Sequence, residues 1–143
     1  MNKKIKLFEM FAGLGSQYKS LKNIYKNSDK DVISVGVCEF YIDAIISYMI
    51  IHYGLLEPEN KLTKNQMVDI LSNYTFSSNS KDVVNSNYFN RFNEQKLRSY
   101  FSYLYAYLNN NYFNDRYNKR ERERERITRI LKELSNYQKI LTY

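Results

Sequence analysis

Hydrophobic and polar positions change rhythm several times along this chain of 143 residues. Residues 5–11 alternate and then run apolar, the pattern of a buried first strand. Ala12-Gly13-Leu14-Gly15-Ser16 breaks that pattern as a tight glycine turn. Beyond it Tyr18, Leu21, Ile24 and Tyr25 fall on one face of a helix, with Ser16 placed to cap it and Asn27-Ser28-Asp29 to end it. Residues 32–38 are rich in β-branched side chains and predict a second strand, with Glu39 at its carboxyl end. Ile42, Ile45, Ile46, Met49 and Tyr53 then recur at intervals of three and four, the stripe of a helix packing on a sheet, with Gly54 placed to close it. This β-α-β-α order predicts the opening of a doubly wound parallel sheet.

The second half carries fewer signals. Residues 67–71 predict a short third strand ending at Asp69 or just beyond, and residues 72–87 form a polar loop. Leu97, Tyr100, Phe101, Leu104 and Leu108 mark one amphipathic helix, and Ile127, Ile130, Leu131 and Leu134 another. Lys139-Ile140-Leu141-Thr142-Tyr143 reads as the start of a further strand. The expected fold is therefore an α/β domain: an incomplete parallel sheet of three or four strands with helices on both faces.

Composition narrows the picture modestly. With 43% hydrophobic and 26% charged residues the chain suits a globular domain. A net charge of +7 favours acidic partners, nucleic acid first among them. Much of that charge sits in Lys119-Arg120-Glu121-Arg122-Glu123-Arg124-Glu125-Arg126, however, where helical spacing pairs Glu121 with Arg124 and Glu123 with Arg126. A solvated, self-paired surface is the expectation there, with phosphate contact as the alternative. The tyrosine-rich segment 100–117 has core spacing, with base stacking as its alternative. The single cysteine, Cys38, excludes an internal disulfide framework and fits a reducing cytoplasm; its strand position predicts a small buried thiol. The longest apolar stretch, 42–51, is interrupted by Asp43 and is about half the roughly 20 residues a membrane span needs. The sole histidine, His52, is read as a surface residue.

Chemistry concentrates in Phe11-Ala12-Gly13-Leu14-Gly15 and in Glu39-Phe40, 24 positions after Gly15. Glycines at a strand-to-helix turn let a ligand approach the backbone and tolerate unusual dihedrals. An acid at the end of the second strand can accept hydrogen bonds from both hydroxyls of a ribose. The dinucleotide pattern G-x-G-x-x-G is not met, because its third glycine position is Tyr18. A glycine pair with a ribose-binding acid and no phosphate cradle suits an adenosyl cofactor better than a dinucleotide. The alternative is a Gly-x-Gly used only as a tight turn.

The string Lys6-Leu7-Phe8-Glu9-Met10-Phe11-Ala12-Gly13-Leu14-Gly15-Ser16-Gln17-Tyr18-Lys19-Ser20-Leu21-Lys22 resembles the first motif of the DNA (cytosine-5) methyltransferases, most closely the short bacterial enzymes of the mycoplasma type. Val37-Cys38-Glu39-Phe40-Tyr41-Ile42-Asp43-Ala44-Ile45 resembles their second motif. The resemblance implies a Rossmann-like S-adenosylmethionine-dependent methyltransferase domain. Residues 1–71 would be its cofactor-binding half and 72–143 a mainly helical and loop insertion. It further implies that Phe11, Ala12, Gly13, Leu14 and Gly15 line S-adenosyl-L-methionine, that Glu39 holds the ribose hydroxyls and that Phe40 packs on the adenine. Asp69-Ile70 resembles the third motif, whose acid accepts from the adenine amino group; a solvated acid at a strand end is the alternative.

The family activates cytosine with a cysteine thiolate that follows a proline and attacks C6 of a flipped-out base. Here the single proline, Pro58, stands between Glu57 and Glu59, and the single cysteine is Cys38. No catalytic residue and no metal ligand is therefore assigned. The resemblance implies a chain severed before the Pro-Cys motif and inactive by itself, whose complete enzyme methylates duplex DNA for restriction-modification or genome marking. A complementary C-terminal methyltransferase polypeptide is a second candidate partner. The alternatives are a non-catalytic remnant or interaction module, and another class of S-adenosylmethionine-dependent methyltransferase.

Overall fold

A computed structural model describes residues 3–141, with the side chains of 120, 123–124 and 131–141 outside the description. The element order is β1 (Lys3–Met10), α1 (Ser16–Ile24), β2 (Lys30–Cys38), α2 (Ile42–Tyr53), α3 (Lys64–Ser72), a 3₁₀ turn (Phe89–Arg91), α4 (Glu94–Leu108) and α5 (Asn110–Leu141). β1 and β2 pair in parallel, from Lys3 beside Lys30 to Met10 beside Cys38, with a bulge where Leu7 gives way to Phe8. The architecture is a two-stranded parallel sheet with flanking helices, consistent with the partial Rossmann-like fold expected.

The opening β-α-β-α follows the hydrophobic pattern closely. Gly54, at φ 90°, closes α2 as anticipated. At α1 the cap is Gly15 in the left-handed region rather than Ser16, which begins the helix and makes no capping hydrogen bond. Ile24 is also not on a buried face; it is exposed.

Two expected strands are helical. Residues 67–71 lie in α3, so Asp69 and Ile70 sit on a helix rather than at a sheet edge. Thr63 accepts from the Gln66 amide while the Gln66 side chain accepts from the Thr63 amide, a capping box that starts the helix ahead of Met67. Met67 and Leu71, one helical turn apart, are both fully buried. Five residues of apolar pattern cannot separate a period of 2 from one of 3.6, and the cap decides the matter. Lys139, Ile140 and Leu141 continue α5, downstream of a run of strong helix formers; Thr142 and Tyr143 lie outside the described residues. The expected pairs Glu121–Arg124 and Glu123–Arg126 involve side chains outside the description.

The sheet thus has two strands among the described residues, not three or four. A single further parallel bridge comes from the loop after α3: the Ser77 amide donates to Phe40 O at 2.8 Å, and the Ile42 amide to Ser77 O at 2.9 Å.

The core lies in the helices. Ile42, Ile45, Tyr48 and Met49 of α2 meet Met67 and Leu71 of α3, Phe76, Phe89 and Phe92 of the connecting segment, and Leu97, Phe101, Tyr103, Leu104 and Ala106 of α4. Tyrosines of segment 100–117 are buried or half-buried in this core, as their spacing indicated. By contrast Phe8, Met10 and Val35 of the sheet are more than half exposed, and Cys38, expected to be buried, is exposed too. Cys38 pairs in register with Met10 on the outer side of the sheet.

Glu59 anchors the segment between α2 and α3. Its Oε1 accepts from the Lys61 and Leu62 amides, its Oε2 from the Tyr112 hydroxyl, and the Arg98 guanidinium donates to its carbonyl oxygen at 2.8 Å. Burial alone would raise this carboxyl, but the Tyr112 hydrogen bond, the two amides and the nearby Arg116 together hold it below its ordinary value. A depressed carboxylate stabilises the fold above its unfolded-state pKa, and that stability is lost as pH falls through the lowered folded value. Glu59→Gln should therefore lower stability at neutral pH and flatten the acid limb below about pH 4.5. Urea denaturation from pH 3 to 7 measures this; an acid limb unchanged by the substitution would contradict it.

Candidate functional site

The carboxyl ends of two adjacent parallel strands release their chains in the same direction, so whatever follows β1 and β2 must meet. After β1 the backbone enters the left-handed region at Phe11 (φ 54°), Gly13 (φ 52°) and Gly15 (φ 71°). Phe11 is not a glycine, and its conformation costs about 1–2 kcal/mol, which only a well-braced turn tolerates.

The bracing is visible. The Ala12 amide donates to Cys38 O at 3.3 Å, carrying the contact between the two strands two residues past β1. The Gly15 amide donates to Ala12 O at 2.8 Å and closes the turn. Glu39 reaches across from β2: its Oε2 accepts the Gly13 amide at 3.0 Å, while Oε1 accepts the Phe40 and Tyr41 amides at 2.9 and 3.0 Å. Gly13, Gly15 and Glu39 are therefore parts of one small structure. A carboxylate has about four lone-pair positions, so Glu39 keeps acceptor capacity beyond these three amides.

The two glycines face different surroundings. A Cβ on Gly13 would meet nothing within 4 Å, so the turn is open there. A Cβ on Gly15 would fall 2.2 Å from His52 Nε2 and 2.6 Å from the Tyr48 ring, so the turn is backed by α2 on that side. Phe11 and Leu14 are 75% and 55% exposed, large apolar side chains left at the mouth of the turn, while Ala12 packs toward the core. Phe40 is half-buried beside Glu39. Asp69 is exposed on α3, a helix that packs against α4 and the 3₁₀ turn, and Ile70 packs on the core. The structure joins Phe11 through Gly15 to Glu39 and Phe40, and it leaves Asp69 and Ile70 on a separate element.

Three residues around the turn escaped the sequence reading. Glu9, inward-facing in step with Ile5 and Leu7, is 1% exposed; its Oε1 accepts the Tyr18 amide at 3.2 Å, and its Oε2 has no hydrogen-bond partner among the described residues. A carboxylate on the buried phase of an alternating strand was the available signal. Tyr107 of α4 takes the Glu39 amide on its hydroxyl at 2.8 Å, with Val37 O and Glu39 O at 3.3 and 3.2 Å to receive its single proton. Burial raises this phenol above its ordinary value, so it stays protonated and can donate. Nothing local in the sequence links Tyr107 to a residue 68 positions away. His52, expected at the surface, lies 3.0 Å from Leu14 O through Nε2, in ring contact with Tyr48.

The chain is 36% identical to the orphan methyltransferase M.SssI of Spiroplasma monobiae over 99 residues, 67% of this chain and 25% of that protein. It is 35% identical to the type II methyltransferase M2.ScrFI of Lactococcus lactis subsp. cremoris over 111 residues, 76% of this chain and 29% of that protein. Over the matched residues the chain is a homologue of methyltransferases. No family model matches it. The matched part spans only a quarter to three-tenths of these methyltransferases' length. Among the described residues, no helix is long and apolar enough to cross a membrane.

Proposed function

We propose that this chain is the S-adenosylmethionine-binding portion of a DNA (cytosine-5) methyltransferase. The observation that carries this reading is the Gly13 amide resting on the Glu39 carboxylate, 3.0 Å apart, with open space before Gly13. The open side of the turn offers backbone to an adenosyl group, the unused capacity of Glu39 suits ribose hydroxyls, and Phe11, Leu14 and Phe40 supply apolar surface for the adenine and the methionine chain. The bound cofactor would supply a methyl group on a sulfonium. The chain's own contribution is to hold that group at a fixed place on the sheet edge. Asp69 and Ile70 are a weaker part of this proposal, since α3 carries them away from the sheet edge.

In this reading methyl transfer needs residues beyond these. Cys38 lies on the outer side of β2 and is exposed, and no proline precedes it. The Pro-Cys motif, the duplex-DNA surface and the target-recognition residues would come from further methyltransferase polypeptide, in the same chain or a partner. The exposed Phe8, Met10 and Val35 support such a covering, because parallel sheets are stable with both faces packed.

Calorimetric titration with S-adenosylmethionine or S-adenosylhomocysteine tests the proposal. Glu39→Ala should weaken binding by about 2 kcal/mol, roughly thirtyfold, through loss of charge-assisted hydrogen bonds. Glu39→Gln keeps one carbonyl acceptor and should lose roughly 1 kcal/mol. Equal affinity in all three proteins would remove Glu39 from the site.

A further inference from the structure

We infer that His52 is a positioning residue for the adenosyl site, acting through the Leu14–Gly15 peptide and not through the ligand. The inference rests on the reading of the turn as a nucleoside cradle. Leu14 O is a carbonyl oxygen and can only accept, so the His52 Nε2 at 3.0 Å carries the proton and donates. The opposite end of the same peptide unit is the Gly15 N–H, which donates to Ala12 O at 2.8 Å. This one peptide plane is thus pinned at both ends, one pin inside the turn and the other from α2.

Such a pin has a physical purpose. Glycine turns are adaptable because the flanking residues rotate freely, and that freedom must be removed before a ligand meets a fixed backbone. Glu39 fixes the peptide before Gly13 through the Gly13 amide, and His52 fixes the peptide before Gly15. The two pins come from different elements and hold the turn's two glycines separately. His52 is itself held: its ring lies 4.3 Å from Tyr48 and 5.8 Å from Tyr18, centroid to centroid, between α2 and α1. Tyr48, on one side of the slot, is buried, while His52 and Tyr18 are half-buried. The imidazole sits where a Cβ on Gly15 would fall, on the backed side of the turn, whereas Gly13 opens to free space. His52 therefore reaches the cradle from behind and cannot touch an adenosyl group bound in front.

The test separates donor from packing. Glutamine can place an amide N–H near the position of Nε2, whereas phenylalanine keeps the ring and lacks the donor. The chain and its His52→Gln, His52→Phe and His52→Ala variants are titrated with S-adenosylhomocysteine. Amide hydrogen exchange at Gly15 is followed without ligand. The expected result is that Phe and Ala each weaken binding about tenfold and accelerate Gly15 exchange, while Gln restores most of both, with melting temperatures close for Phe and Gln. His52→Phe behaving as the parent, with His52→Gln as poor as His52→Ala, would mean the ring only packs, and overturns the proposal. A parent chain without affinity for S-adenosylhomocysteine instead overturns the nucleoside reading, and the cradle role of His52 falls with it.

Discussion

Gly15→Ala should abolish adenosyl-cofactor binding and destabilise the chain by about 3 kcal/mol, combining a left-handed backbone cost of about 1–2 kcal/mol with an overpacking cost of about 1–3 kcal/mol. Both contributions have a visible origin. The residue sits at φ 71°, and its new Cβ would press on His52 Nε2 at 2.2 Å and on two Tyr48 ring atoms at 2.6 and 2.9 Å. Tyr48 is 3% exposed and locked into α2's contact with the rest of the core, so it cannot swing aside. Relief must come from the turn, which would move away from Glu39. Gly13→Ala is the control. Its φ of 52° carries the same backbone penalty, but its Cβ meets nothing within 4 Å. That variant should fold with a smaller loss, about 1–2 kcal/mol, and still lose cofactor affinity by placing a methyl group in the ligand's space. Denaturation and titration of both variants decide the matter; Gly15→Ala as stable as the parent would show that the backing from α2 is not rigid.

Phe101→Ala should cost about 3–5 kcal/mol, the usual range for removing a buried phenyl ring. Phe101 has no exposed surface and stands midway along α4, 5.1 Å from the Tyr105 ring and 5.9 Å from that of Tyr112. Against a total stability of about 5–15 kcal/mol for an ordinary domain, this one truncation is expected to unfold a large share of the chain. Met10→Ala should change stability by no more than about 0.5 kcal/mol, because Met10 is 63% exposed on the sheet. Urea denaturation of the two variants would show where the fold's stability lies, and comparable losses would refute a helix-centred core.

The first 54 residues were legible because each element there announces itself locally. A β-branched run, a glycine turn and a long three-four stripe translate directly into β1, α1, β2 and α2, and the spacing from Gly15 to Glu39 is fixed by one β-α-β crossover. Residues 67–71 were not legible as read, since the decisive signal lay upstream in Thr63 and Gln66 and not in the apolar residues themselves. The exposure of Cys38 depended on what covers the sheet, a tertiary fact that no strand pattern contains. In the candidate site, Gly13, Gly15 and Glu39 could be named because their chemistry is carried by residue type. Their supports could not. His52 and Tyr107 act through side-chain contacts to backbone atoms 38 and 68 positions away, and such pairings leave no periodic trace.

The separation between core and site has a practical consequence. The most deeply packed residues belong to α2, α3 and α4, whereas β1, the turn and much of β2 lie at the margin of that packing. Regions with few buried contacts open locally, at a free energy well below that of global unfolding. Ligand capture at the turn then acts first on this marginal unit. Its clearest signature is slowed amide exchange along β1 and β2, while the melting of the helical body shifts little.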